Sequence, residues 1–429
     1  MKNYLKEILF AAVSLALLCN FGFFVYKNSV DIPFWDEWDV ADLIMQKGNW
    51  LETVTHQHNE HRIGVGLALM KILAPLTNWS QLAEIAVVSL EIIMSCLLAL
   101  YAKKKISRKI TLWDLIIPLI FLNILQWGNI ISAFQMTFVF PLLFLFLGVW
   151  SLTVENTAKR NALIVIFSLL GAFSSFHGLF IPAVFIFFLA AESLLNRFRQ
   201  WRISLPAIAA EIMIIAAYFW GYEKKFQAAL NLKPDFQTLD FFTVLLANGF
   251  FYHAGVSQKY GLNYILTALA VLALVYGLYR VAIVRKNELA SWIGVLLIIY
   301  SFLFALSITL GRSAFGIGQA SETRYITFSM LIPLGIYFIL GSIRRKNLAK
   351  FVLVVVLLGG LFSYPSSVGD SVTAGVETRK NALQCYEKTE AGGYDACFKI
   401  MPLYPDRERL NSLMPNVLKY KEVIEKTGK

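Results

Sequence analysis

Asp36, Glu37 and Asp39 fall within DIPFWDEWDV, a stretch that begins at Asp31, directly after the first long apolar run, and in which Trp35 and Trp38 bracket the first two acids. An acid beside lipid is costly unless it is paired or used. Partial desolvation between two indoles raises a carboxylate's pKa and makes it a better base toward a hydroxyl. One acid is enough to complement a helix start. That bland role suits Asp39 and leaves the Asp36–Glu37 pair for chemistry. Downstream, HQHNEHR gathers three of the five histidines with Glu60 and Arg62 in seven residues. As a helix it puts His58 and His61 on one face, and His56 and Glu60 on another. Histidine at this density suggests a divalent metal. The motif is not HExxH, however, and no single face presents three ligands, so we read it as a polar substrate-binding face and assign no metal ligand.

Further polar residues stand at the ends of apolar runs. QWGNIISAFQ supplies Gln126, Asn129 and Gln135, SSFHGLF supplies His177, and FFTVLLANGFFYHAGV supplies His253. GRSAFGIGQASETRYITFS adds Arg312, Gln319, Glu322, Arg324 and Tyr325. Singly, such residues are usually interface anchors. A convergent set on one side of a membrane calls for another explanation. Two arginines flanking a Gly-rich turn suit a phosphate at headgroup depth. The glycines at 311, 316 and 318 let backbone N–H groups approach an anion, and Arg62 offers a third cation.

The elements that carry these residues follow from composition. Of the 429 residues 57% are hydrophobic, and mean hydropathy is +0.60. Apolar runs near the length that crosses a bilayer recur along the chain, whereas the alternation of a membrane β-barrel is missing. The sequence therefore predicts an all-α polytopic membrane protein. The net charge of +11 reflects Lys/Arg clusters between the runs, at 2–6, 103–109, 158–160, 196–202, 280–286 and 344–347. Assigned to the cytoplasm, they report topology rather than a nucleic-acid partner. About eleven spans follow, near 8–26, 81–101, 112–126, 136–154, 162–176, 179–195, 203–220, 262–283, 292–310, 326–343 and 350–364. This puts the N-terminus inside and the C-terminus outside. The first run lacks a signal-peptide cleavage site and is read as a retained helix. Residues 1–364 form the membrane domain and 365–429 an outer tail. The loop at 28–80 holds an amphipathic interfacial helix through Val40, Leu43 and Ile44 that ends at Gly48, a short turn at Trp50–Val54, and a short apolar helix stopped by Pro75. The apolar stretch at 241–256 is too short to fit the alternation and is read as interfacial or re-entrant. Cys385 and Cys397 lie on the oxidising side in this topology and are expected to pair.

The order of these parts is a first span, Asp-Glu, an amphipathic helix, Gly-x-Trp, a His/Asn motif, a short apolar helix and a second span. It resembles the first outer loop of GT-C fold glycosyltransferases, and most closely the bacterial membrane glucosyltransferases that decorate O-antigens. The likeness covers mainly 30–80, and more weakly 126–135 and 311–330. HNEHRIG stands where related enzymes have His-Pro-Pro or Lys-Pro-Pro. The resemblance implies catalysis by Asp36 and Glu37 and substrate contacts from Trp35, Trp38 and the polar residues named above. It also implies a polyprenyl-phosphate sugar donor, a glycan acceptor, an inverting displacement at the outer face of the bacterial inner membrane, and possible donor synthase and flippase partners. It implies no certain cofactor, with a divalent metal possible. The competing readings are a lipid-linked saccharide flippase or polymerase, and a secondary transporter. The transporter reading rests on Glu91 and Glu211 within apolar runs.

Overall fold

The structure, a computed structural model, describes residues 2–45, 48–196, 201–223, 235–284, 288–341, 346–363 and 367–388, and in the tail 397, 404, 406–414 and 417. Parts of the basic clusters at 196–202, 280–286 and 344–347, the loop at 224–234 and about half of the tail lie outside the described residues.

Helices dominate because a helix satisfies every backbone N–H and C=O within one segment, as lipid requires. In chain order they begin with α1 (Lys2–Asn28), α2 (Glu37–Met45) and α3 (Trp50–Thr55). A two-stranded antiparallel hairpin follows, β1 (Gln57–His58) and β2 (His61–Arg62). Next come α4 (Gly64–Thr77), α5 (Gln81–Ser107), α6 (Ile116–Phe121), α7 (Trp127–Ile130), α8 (Gln135–Ser151), α9 (Thr157–Ala172) and α10 (Phe180–Leu195). The second half carries α11 (Trp201–Phe219), α12 (Phe236–Asn248), α13 (Ala254–Lys259), α14 (Leu262–Tyr279), α15 (Glu288–Arg312), α16 (Thr323–Ser329), α17 (Leu331–Leu340), α18 (Lys346–Leu361) and α19 (Ser367–Lys388). Among the described residues, eight helical stretches are long and apolar enough to cross a membrane. The chain is an all-α polytopic membrane protein.

Contacts between helix ends show how the bundle alternates. At one end, Phe134 before α8 meets Glu37 of α2, and Tyr218 of α11 meets Arg62 of β2. Arg312, closing α15, meets Glu60 at the same end. At the opposite end, Lys103 of α5 pairs with Asp114 at 3.1 Å. Tyr337 of α17 donates to that carboxylate, and Lys350 of α18 donates to the Tyr337 hydroxyl at 3.3 Å.

Three local expectations are corrected. HQHNEHR forms the hairpin rather than a helix. Asn59 takes φ 48° at its turn, and His58 pairs in register with His61. Pro75 lies inside α4, which runs on to a left-handed cap at Asn78. A proline in the last turn of a helix displaces only one hydrogen bond, so it need not end the helix. Finally, of the two readings of 241–256, burial of α12 disfavours the interfacial one and leaves the re-entrant one, with Phe236 and Leu239 at its start exposed. Residues 243–248 are all buried, and the helix packs against α14, α15 and α16. Gly249 makes this possible, since a Cβ there would sit 2.1 Å from the Ser329 carbonyl oxygen.

Cys385 and Cys397 form a disulfide, Cα to Cα 5.5 Å. The tail returns to the first loop: the Arg379 guanidinium lies 5.5 Å from the Phe34 ring centroid, and the Tyr404 hydroxyl donates to Asp39.

Candidate functional site

The start of α2 divides the acidic pair. Trp35 adopts φ 54° and is 51% exposed, whereas Trp38 is buried with its indole N–H donating to the Pro33 carbonyl at 3.1 Å. The two indoles therefore do not enclose the acids between them. Glu37 is buried, and each of its carboxylate oxygens accepts a backbone N–H, from Phe34 and from Phe134, both at 2.9 Å. Burial pushes its carboxyl up to about 7, against the pull of those two bonds. Glu37 thus clamps the loop to the start of α8 and does not line the cavity described below.

Asp36 points the other way, into that cavity, with its side chain about half exposed. Desolvation acts to raise its pKa, but the nearby His58 imidazole, with the charge of Arg324, outweighs it and holds the carboxyl below the ordinary aspartate value. This corrects the expectation of a raised pKa, because the neighbours that decide it come from the hairpin and from α16.

His58 is buried between two carboxylates, Nε2 3.8 Å from Asp36 and Nδ1 3.9 Å from Asp39. Asp36, Asp39 and His58 offer three metal-capable atoms within 4.8 Å of one another. The fit to an ion is poor. The two acids face opposite nitrogens of one ring, and Asp39 already takes the Tyr404 hydroxyl and lies 3.7 Å from the Arg409 guanidinium.

His61 Nδ1 accepts the Phe176 backbone N–H at 3.1 Å, which assigns the ring proton to Nε2, 3.6 Å from Glu60. Burial pushes its pKa down to about 4, so the ring is neutral at physiological pH. The same Glu60 oxygen receives Arg312 at 3.2 Å. Arg62 is fully engaged elsewhere. It is buried and donates to the carbonyls of Tyr218, Thr55 and Trp220, which fixes the hairpin to the end of α11 and leaves no guanidinium for a phosphate.

These elements enclose a cavity of about 330 Å³. Of the residues named from sequence, Asp36, His58, Glu60, His61, Gln135, His177, Gly311, Arg312, Arg324 and Tyr325 line it. The others do not. The Gln126 amide bonds the Phe121 carbonyl and Thr327, and the Asn129 amide bonds Thr327 and the Arg324 carbonyl, so both hold α16 in place. His253 caps α13 by accepting from Gly255 N–H. Glu322 pairs with neither arginine, and its carbonyl accepts the Tyr325 N–H. Among lining residues that sequence reasoning missed are Asn59, Thr137, Phe138 and Ser175. Ser175 stands two positions before His177 and bonds its Nδ1 at 3.1 Å. Asn59 lay inside the HQHNEHR motif without being singled out, and Thr137 and Phe138 carried no signal.

Arg324 has the most open chemistry. Its guanidinium lies 5.2 Å from the Tyr325 ring centroid, its Nε is buried without a hydrogen-bond partner, and no acid pairs with it among the described residues. The buried Gln135 Oε1 in the same cavity also has no partner. Buried donors and acceptors of this kind are rare unless a ligand or water completes them.

No protein-family model, curated protein or solved structure matches the chain. Its chemistry is therefore read from the cavity itself. Asp36 offers an ionised carboxylate, His61 a neutral imidazole, and Arg312 and Arg324 two cations. An apolar groove of about 430 Å³ between Phe236, Leu239 and Phe242 of α12 and Leu306 of α15 adjoins the cavity through Leu310, which lines both.

Proposed function

We propose that the protein transfers a sugar from a polyprenyl-phosphate carrier to a hydroxyl of a cell-surface glycan. The observation that carries this reading is one cavity in which a carboxylate, Asp36, stands near an arginine with no acidic partner, Arg324, beside an apolar groove. Asp36 is ionised at neutral pH and takes the acceptor's proton as its oxygen attacks the anomeric carbon. The bond from that carbon to the phosphate oxygen breaks, and the phosphate leaves as an anion held by Arg324 and Arg312. One such displacement inverts the anomeric centre. Glu37 acts by positioning Asp36, through the start of α2. The isoprenoid lies along the groove of α12 and α15.

The topology belongs to the same reading. It has eleven crossings of a bacterial inner membrane, with the basic loops cytoplasmic and the cavity and tail periplasmic. The resemblance to O-antigen glucosyltransferases favours glucose as the sugar, and a donor synthase and a flippase would then supply the carrier. Transport is the second reading. It rests on Glu91 and Glu211, both buried. Neither lines the cavity that holds Asp36 and the arginines.

The test is transfer from a synthetic polyprenyl-phosphate glucose to an O-antigen acceptor by the purified protein. Asp36→Asn should bind donor normally and lose on the order of 10²–10⁴-fold in turnover. Full activity in Asp36→Asn with none in Glu37→Gln would reverse the two roles. No transfer by the unaltered protein with donor and acceptor bound would reject the reading.

A further inference from the structure

At the opposite end of the bundle, a second cavity of about 990 Å³ opens between α1, α5, the 111–116 turn and α18. Its position along α1 is far from Asp36, because Lys6 lies near the start of a 27-residue helix that spans about 40 Å. Lys6, Lys103, Lys109 and Lys350 line it, and Glu7 is the one acid among the described lining residues. Farther along α1 the wall turns apolar, with Val13 and Leu17 of α1 and Val354 of α18.

Lysines at helix ends usually report topology and sit in water. Two of these do not. Lys103 is 7% and Lys350 4% exposed. Asp114 is the carboxylate beside them. Its Oδ1 meets Lys103 and the Tyr337 hydroxyl, and its Oδ2 accepts from Thr111. Lys6 and Lys109 add two exposed cations at the rim. The cavity thus joins an excess of positive charge to an apolar wall that runs along a lipid-facing helix. A soluble anion would use only the first of these features. A lipid with an anionic headgroup uses both, and basic pockets between membrane helices bind such headgroups.

We propose that this cavity is a binding site for an anionic phospholipid, with the phosphate against Lys6 and Lys109 and an acyl chain along Val13 and Leu17. The site is separate from the Asp36 cavity and does not depend on glycosyl transfer.

The experiment is a titration of the full-length protein in detergent, read by native mass spectrometry, with dioleoylphosphatidylglycerol, dioleoylphosphatidylcholine and sodium phosphate as probes. Phosphatidylglycerol should bind more tightly than phosphatidylcholine. Its affinity should fall about five-fold for each of Lys6→Gln and Lys109→Gln. Both side chains are exposed, so neither change should alter unfolding of the lipid-free protein. Leu17→Trp, which fills the apolar wall, should weaken phosphatidylglycerol while leaving the charges in place. Equal binding of the two lipids, or phosphatidylglycerol binding unchanged in all three variants, overturns the proposal. Sodium phosphate binding as tightly as phosphatidylglycerol also overturns it, because the site would then serve a soluble anion.

Discussion

The two ends of the bundle hold charge in opposite ways. At Asp114, both carboxylate oxygens have donors: Thr111, Tyr337 and Lys103. At the cavity end, Asp36 is about half exposed, and among the described residues Arg324 Nε and Gln135 Oε1 have no partner and, of the two arginines, only Arg312 has an acid beside it. A saturated cluster holds helices together. A cluster with donors and acceptors left over has capacity for a further hydrogen-bonding group.

The largest effect should come from the saturated end. Asp114→Ala strands Lys103 in a buried position and should cost about 3–5 kcal/mol, read as a lower thermal midpoint. Asp36→Asn should lower that midpoint far less, because its carboxylate is about half exposed. Equal losses would mean that both clusters are structural.

Arg324→Ala should weaken donor affinity roughly ten- to a hundred-fold, from the ~1.5–3 kcal/mol of one charge-assisted contact. Arg324→Lys should recover part of it, because an ammonium cannot reproduce the guanidinium fork. Arg312→Ala should also release Glu60, so it should lower stability as well as affinity. Donor titration alongside thermal unfolding separates the two arginines. Unchanged affinity in both alanine variants would remove the phosphate clamp.

A smaller effect concerns pH. The Glu37 carboxyl sits at about 7 in the folded chain, above its ordinary 4.5, so the folded state holds its proton more tightly. Its contribution is therefore fully present below the ordinary value and is lost as pH rises toward 7. Asp36, with a lowered pKa, contributes in the opposite sense: its share is present above its ordinary 3.8 and is lost on acidification. Denaturation followed from about pH 5 to about pH 8 should lose stability, and Glu37→Gln should flatten that slope. An unchanged slope would place its origin in another group.

The smallest should be Tyr404→Phe, which removes the hydroxyl bond to Asp39 and should cost about 1 kcal/mol. The loss should show as faster proteolysis of the first loop rather than as a shift of the whole unfolding curve. A shift of the whole curve instead would make the tail part of the core.

How far sequence reached depended on how local the signal was. Long apolar runs announce membrane helices, and the α2 and α3 starts and the Cys385–Cys397 pairing followed from spacing and topology. The hairpin at 57–62 did not, because two-residue strands have no period and the turn depends on Asn59 accepting a left-handed conformation. The fates of Glu37 and Arg62 were also hidden. Both look like site residues by type, and both are engaged by backbone groups far along the chain, Phe134 and Tyr218. Asp36, Arg312 and Arg324 were singled out by charge beside apolar runs, and all three line the cavity, Arg312 with Glu60 as its partner.

The tie between Tyr404 and Asp39 joins positions 365 apart in the chain. A chain stopped between Cys397 and Tyr404 would keep every described helix from α1 to α19 and the disulfide partner. It would lose the Tyr404 and Arg409 contacts to Asp39 of α2, while Glu37 would still hold Phe134. Such a truncation would keep the apolar helices that membrane-topology assays read, while Asp39, one of the two carboxylates beside His58, would be left without its tail contacts. Localisation alone is therefore a poor proxy for function when variants of this chain are screened.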